Sequence, residues 1–102
     1  MRLSQPQISA ILKAKESFFP NSKIYLFGSR IDDTRTGGDI DLYILFENRI
    51  ADGMKKRISF LVMLKSLIGD QKVDVVLANK SQNRLIDEIV KQEGILLDSL
   101  QL

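Results

Sequence analysis

The sequence predicts an α+β fold in which helices pack on a small mixed β-sheet. Short apolar runs typical of strands alternate with longer segments of helical periodicity, in the order helix, strand, loop, strand, helix, strand, helix. The chain has 102 residues, of which 44% are apolar, and this is enough for one hydrophobic core. It contains no repeat, low-complexity segment or linker. We therefore expect a single domain over residues 1–102.

The first half of the chain contains one predicted helix and two predicted strands. Ser4 can cap the helix, Pro6 suits its first turn, and the apolar spacing that follows is helical. A short strand over Lys23–Phe27 precedes a polar stretch, and a second strand covers residues 39–46. The second strand is continuously apolar after its start, which is typical of the centre of a sheet.

The second half contains a long helix, a third strand and a last helix. The long helix is predicted over residues 52–68 and the third strand over residues 72–78. The last helix is predicted to begin at Ser81 or Gln82 and to end before Gly94.

The long helix has apolar side chains on more than one side. One row contains Met54, Ile58, Leu61, Val62 and Ile68, and a second set, expected in the core, contains Phe60, Met63, Leu64 and Leu67. A helix of this kind can bury its extra face against another subunit. The apolar tail over residues 95–102 suggests the same, so a homo-oligomer is possible.

Composition excludes several kinds of chemistry. The sequence has no Cys and no His, which excludes disulfides, thiolate metal sites and imidazole bases. Any metal ligands are therefore oxygens, which favours Mg²⁺, Mn²⁺ or Ca²⁺. The net charge of +2 is too small to indicate direct nucleic-acid binding. With no leader peptide and no apolar run near the ~20 residues that span a bilayer, we expect a cytoplasmic protein without membrane contact.

Three carboxylates lie on predicted strands. Asp39 and Asp41 begin the second strand, where alternation places both on one face with their Cα atoms roughly 6.5–7 Å apart. Asp74 lies inside the apolar third strand, where a charge is costly unless it is paired or binds metal. If the two strands are neighbours, the three converge and suit two Mg²⁺ ions, or Mn²⁺, ~3.5–4 Å apart. Alternatively, Asp74 is an edge charge that blocks aggregation, and the Asp-x-Asp pair simply faces water.

The first strand ends in a turn that can bind an anion. Gly28 and Ser29 present backbone N–H groups and a hydroxyl, and Gly allows a phosphate to approach the backbone closely. Arg30 and Arg35 can neutralise phosphate charge, although loop arginines are often only solvated. The turn and the carboxylates together predict a triphosphate cradle opposite a metal site. A P-loop is excluded because the chain lacks Gly-Lys-Ser/Thr.

These residues resemble the signature of the DNA polymerase β-like nucleotidyltransferase superfamily. Gly28-Ser29-Arg30, a spacer up to Gly38 and then Asp39-Ile40-Asp41-Leu42 match its pattern of Gly-Ser followed by Asp-x-Asp between hydrophobics. Asp74 is placed to be the third carboxylate of the family, and the match covers the chain from Ile24 to about Val90. The chain departs from many relatives at Gly38, where they carry Ser. These motifs and the small size of the chain look most like the stand-alone minimal nucleotidyltransferases of prokaryotes.

The resemblance implies a palm-like nucleotidyltransferase fold, ATP as nucleotide donor and a metal-dependent transfer of AMP. Minimal nucleotidyltransferases often pair, as antitoxins, with a helical HEPN toxin, and transfer AMP to a Tyr of that toxin. In this implied mechanism, Asp74 helps to deprotonate the attacking hydroxyl. Two alternatives remain: a non-catalytic antitoxin that neutralises its partner by binding, and an adenylyltransferase for a small molecule such as an aminoglycoside. The chain shows no separate substrate domain, which favours a protein acceptor.

Overall fold

Three α-helices and four β-strands make up the regular structure of the described chain. The computed structural model describes residues 1–32, 34 and 38–100. The elements in chain order are α1 (Gln5–Phe18), β1 (Lys23–Phe27), β2 (Ile40–Phe46), α2 (Gly53–Ile68), β3 (Val73–Asn79), α3 (Leu85–Glu93) and β4 (Ile95–Leu96). Two short 3₁₀ turns, Gly28–Ile31 and Leu97–Leu100, follow β1 and β4. No helix in these described parts is both long enough and apolar enough to cross a membrane.

The four strands form one mixed sheet in the order β3-β2-β1-β4. Strand β2 pairs antiparallel with β1 and parallel with β3, and β4 pairs antiparallel with β1. A parallel neighbour requires a long crossover, which α2 supplies between β2 and β3. The predicted α+β fold with a small mixed sheet is confirmed, and the second strand is central as its apolar run indicated.

The main core lies between one face of the sheet and helices α1 and α2. Because side chains alternate along a strand, every second residue of β1, β2 and β3 enters this core. The largest fully buried side chains there are Ile11, Phe19, Ile24, Leu26, Ile40, Leu42, Ile44, Phe60, Leu64 and Leu97. The Phe19 ring packs against Phe46 and Phe60, with ring centroids 5.5 Å and 5.8 Å away. The predicted core set of the long helix is confirmed for Phe60 and Leu64, whereas Met63 is only partly buried. The prediction is wrong for Leu67, which is 44% exposed because it lies on the side of the helix turned away from the sheet.

Helix α3 covers part of the opposite face of the sheet. Val90 packs with Tyr43 and Ala78, and the ring of Tyr25 meets that of Tyr43 edge-on with centroids 6.1 Å apart. The Tyr43 hydroxyl donates a 2.7 Å hydrogen bond to Asp87. Burial, followed by this bond and the charge of Asp87, raises the pKa of Tyr43. The hydrogen bonds from Arg84 and Tyr43 lower the pKa of Asp87 to about 2 against the opposing effect of burial.

Helix α1 begins where the sequence predicts, whereas α3 begins four residues later than the earliest prediction. Ser4 accepts from the backbone N–H of Gln7, whose side chain accepts from Ser4 in return, so a capping box fixes the start of α1. The prediction that α3 begins at Ser81 or Gln82 is wrong. Asn79 accepts from the backbone and the hydroxyl of Ser81, and this local turn competes with the helix.

The apolar tail belongs to the domain core. Residues Ile95–Leu96 pair with Tyr25 and Leu26 of β1, which adds a strand that the sequence analysis did not predict. Leu97 is fully buried, and Leu100 packs against the main core. The expectation that this tail covers another subunit is wrong for Leu97, because its own chain buries it. Leu102, at the end of the tail, lies outside the described residues.

Candidate active site

Asp41 and Asp74 lie side by side on the open part of the sheet. Strands β2 and β3 run parallel with Asp41 in register with Asp74, a spacing of about 4.8 Å between neighbouring strands. Both side chains share a face with Tyr43, which lies two residues beyond Asp41. Helix α3 covers that face around Tyr43 and Val90. Asp41 is half-buried and Asp74 is exposed, so the pair is open to a ligand from one side.

Asp39 lies one residue before β2 and pairs with a lysine. Its Oδ2 atom is 3.5 Å from Nζ of Lys72, and both side chains are well exposed. In these side-chain positions, no group of three or more potential ligands among the described residues is close enough together to hold a metal ion. The expected neighbourhood of the two strands is therefore present, whereas the three carboxylates do not converge on one point.

The carboxylate of Asp41 is the electrostatic centre of the group. Its pKa is raised, first by burial and then by the negative charges of Asp74 and Asp39, against the opposing charge of Lys72. Neighbouring negative charges make ionisation of each carboxylate less favourable, and a cation bound between them would remove this repulsion. Lys72 was not among the predicted site residues. Its position two residues before Asp74, just ahead of β3, was the signal that places it beside the carboxylates.

Gly28 leaves the space that the Asp41 carboxylate occupies. Strand pairing places Phe27 opposite Asp41, so the following residue lies next to that carboxylate. A Cβ atom on Gly28 would lie only 2.3 Å from Oδ2 of Asp41, and its φ of +78° is also unfavourable for other residues. The glycine is therefore needed to leave room for the carboxylate, and its role in admitting an anion stays a prediction.

Arg30 is tied to the backbone around the turn. Its Nε atom donates to the carbonyl of Gly38 at 3.3 Å, and its Nη1 atom donates to the carbonyl of Arg2 at 2.8 Å. These bonds connect both sides of the loop and the N-terminal segment. Ser29 lies in the Gly28–Ile31 turn, although its side chain is outside what the structure describes. Arg35 also lies outside the described residues.

Comparison with known proteins identifies the family. The sequence model of the family Polymerase beta, Nucleotidyltransferase matches residues 7–101. The chain belongs to this nucleotidyltransferase family. The resemblance seen in the Gly-Ser and Asp-x-Asp motifs is thereby confirmed. A search of curated proteins gives no significant match.

Solved structures of nucleotidyltransferase-family fold include two similar proteins from toxin–antitoxin systems. One is the toxin–antitoxin MntA-HpeT in a mutant with two Asp-to-Glu substitutions, at 25% identity and a TM-score of 0.67, covering 88% of this chain and 70% of that chain. The other is a toxin–antitoxin with AMP-PNP, at 27% identity and a TM-score of 0.68, covering 88% of this chain and 71% of that chain. The fold of this domain is thus similar to that of the second protein, which was crystallised with AMP-PNP.

Proposed function

We propose that this domain transfers AMP from ATP, with Mg²⁺ or Mn²⁺, to a hydroxyl group, and that the acceptor is a Tyr of a HEPN-type toxin. The observation that carries the proposal is that Asp41 and Asp74 lie in register on neighbouring strands, beside the turn at Gly28. Family membership supports nucleotidyl transfer, and the neighbour with AMP-PNP supports a nucleoside triphosphate as donor. The cytoplasm, where we expect the protein, supplies ATP.

The donor set fits a divalent cation. Asp41 and Asp74 offer hard oxygen ligands. Burial, and then the charge of Asp74, raises the pKa of Asp41. Asp39 would join them by releasing Lys72, and this exposed ion pair contributes only about 0–1 kcal/mol. When bound, the metal lowers the pKa of the attacking hydroxyl and neutralises charge on the transferred phosphoryl group.

The chain's own residues have distinct roles in this proposal. The backbone N–H groups of the Gly28–Ile31 turn and the Ser29 hydroxyl bind the triphosphate. Arg30 holds this turn in place through its hydrogen bonds to two backbone carbonyl groups. Arg35 remains a predicted phosphate contact. Exposed Asp74 accepts the proton of the attacking hydroxyl, because it lies at the open side of the pair. The hydroxyl oxygen bonds to the α-phosphorus of ATP as the bond from that phosphorus to the leaving pyrophosphate breaks.

A protein acceptor is favoured by the neighbours. Both similar structures come from toxin–antitoxin systems, so we infer that this chain acts as the antitoxin of such a pair. The described residues form one sheet with three helices. A partner that presents its own hydroxyl would complete the site.

The test is transfer of labelled AMP to the protein encoded by the gene next to this one, the candidate toxin. We expect Asp39→Asn/Asp41→Asn to lower the transfer rate by ~10³-fold, because several kcal/mol of charge stabilisation depends on the metal. Asp52→Asn is the matched control, since this exposed Asp precedes α2 and makes no capping hydrogen bond through its side chain. Unchanged transfer by the double variant would contradict the mechanism. Full toxin neutralisation by an inactive double variant would instead support the alternative of an antitoxin that acts by binding.

A further inference from the structure

Helix α2 carries a row of apolar side chains that its own chain leaves uncovered. Met54, Ile58 and Val62 are 73%, 56% and 66% exposed. Their spacing of four residues places them one above another on the helix surface. The core side of the same helix is occupied by Phe60 and Leu64, which are fully buried. The row is therefore surplus to the fold and has the form of a helix-packing surface.

The charges around this row have one sign. Lys55 and Lys65 are exposed and lie beside the row by helical spacing. The 16 residues of α2 contain no Asp or Glu. A partner for this row must therefore combine apolar side chains with negative flanks.

Helix α3 has these complementary properties. Leu85 and Ile89, four residues apart, are 79% and 37% exposed. Glu88 and Glu93 are exposed and flank this second row on its two sides. Lys91, the helix's own cation, lies roughly 140° round the helix from the row. The α3 row is thus apolar with acidic borders.

We infer that α2 of one copy of this chain packs against α3 of a second copy. The two helices lie on opposite faces of the sheet, so their rows cannot meet within one molecule. Packing α2 on α2, or α3 on α3, would place like charges opposite each other. Only the pairing of unlike helices matches apolar rows and opposite charges together.

The edge of the sheet beside α2 does not offer an alternative route of association. The carbonyl of Val75 in edge strand β3 accepts from Nη1 of Arg57 at 3.1 Å, and the carbonyl of Leu77 accepts from Nη2 of Arg84 at 3.3 Å. An added strand would have to displace both guanidinium groups. Association on this side therefore proceeds through helix side chains.

A contact between different surfaces is heterologous, so successive copies can add to each other until a ring closes. With three and two side chains, the two rows can bury much less surface than the about 800 Å² per partner of a standard interface. We therefore expect reversible association that increases with concentration and weakens at ~1 M salt, where the Debye length is ~3 Å. This inference does not depend on nucleotidyl transfer, because its test measures only mass.

Sedimentation velocity of the purified chain over a range of concentrations tests the contact. We expect the mean mass to rise above that of one chain, and Ile58→Glu in α2 and Leu85→Glu in α3 each to return it to the monomer. Leu67→Glu is the matched control, because Leu67 is an α2 side chain that is 44% exposed outside the row. It should leave association unchanged. Circular dichroism confirms that each variant is folded.

Mixing the two monomeric variants gives the decisive result. The Ile58→Glu chain keeps its α3 row and the Leu85→Glu chain keeps its α2 row, so the mixture should form a 1:1 dimer and stop there. A wild-type chain that stays monomeric at ~1 mM would overturn the inference, and the rows would then be left for a different protein. Persistent association of Leu85→Glu, or a mixture that stays monomeric, would also overturn it.

Discussion

At the scale of single residues, the turn after β1 and the carboxylate of Asp41 depend on each other. Gly28 provides both a positive φ and an open space, and the side chain of Asp41 fills that space. From the sequence, this glycine is expected to let a phosphate approach the backbone, and the structure adds the Asp41 carboxylate as its close neighbour. The packing of a carboxylate against a glycine cannot be read from a motif, because it depends on how two strands pair.

Gly28→Ala should separate the two roles of this glycine. We expect a loss of about 1 kcal/mol in the free energy of unfolding from the positive φ. The new Cβ should also displace the Asp41 carboxylate and lower transfer ~10²-fold, as misplacement of a catalytic group does. Gly69→Ala is the control, since Gly69 has a φ of +86° with nothing within 4 Å of the added Cβ. Urea unfolding and AMP transfer are the measurements. Equal activity in the two variants would contradict the proposed role of Asp41.

At the scale of elements, the sequence predicted three helices and three strands. The structure moved the start of α3 to Leu85, shifted the strand boundaries of β2 and β3 by one residue and added one strand. Helix α1 was predictable because its capping box is local. The start of α3 was not, since the Asn79 turn and the bonds of Asp87 decide it. Strand β4 has two residues and forms only by pairing with β1, so its short sequence carries no periodicity.

The seating of α3 on the sheet should depend on pH through Asp87. Asp87→Asn keeps the size and removes the charge that Tyr43 and Arg84 contact, so we expect a loss of about 2 kcal/mol at pH 7. The pKa of Asp87 is lowered from 3.8 to about 2. Its contribution is therefore fully present above the unfolded pKa and is lost as pH falls from 3.8 towards about 2.

Urea unfolding at several pH values, with Glu88→Gln as control, measures this contribution. Glu88 is an exposed neighbour on the same helix, so we expect its substitution to change stability by less than about 0.5 kcal/mol. The charge of Asp87 would be unimportant if the difference in the free energy of unfolding between wild type and Asp87→Asn were the same at pH 7 and pH ~2.

At the scale of the whole molecule, one carboxylate joins the end of the described chain to its beginning. Asp98 accepts the backbone N–H of Ile24 at 2.7 Å and pairs with Nζ of Lys15 at 3.1 Å. The Lys15 side chain is only 5% exposed, so its charge needs this partner. The pKa of Lys15 is raised because its bonds to Glu16 and Asp98 together outweigh burial, the largest single effect.

Asp98→Ala should therefore destabilise the whole domain. We expect a loss of ~3 kcal/mol in the free energy of unfolding, the cost of leaving a buried charge with one partner fewer. Asp98→Asn should lose less, because its amide oxygen can still accept from Ile24. Glu47→Ala, which breaks the exposed pair with Lys80, should cost less than about 1 kcal/mol. Denaturant unfolding that ranks Glu47→Ala as the more harmful change would refute this account.

The sequence by itself determined the fold class, the central strand, the Gly-Ser turn and the three candidate carboxylates. These follow from periodicity, from local capping and from the cost of charges in apolar strands, all of which are encoded over a few residues. Only the tertiary structure decided that Asp41 lies in register with Asp74, that Lys72 pairs with Asp39, and that β4 forms the edge of the sheet beside β1. The physical reason is that these contacts join segments far apart in the chain, whose alignment depends on packing of the shared core.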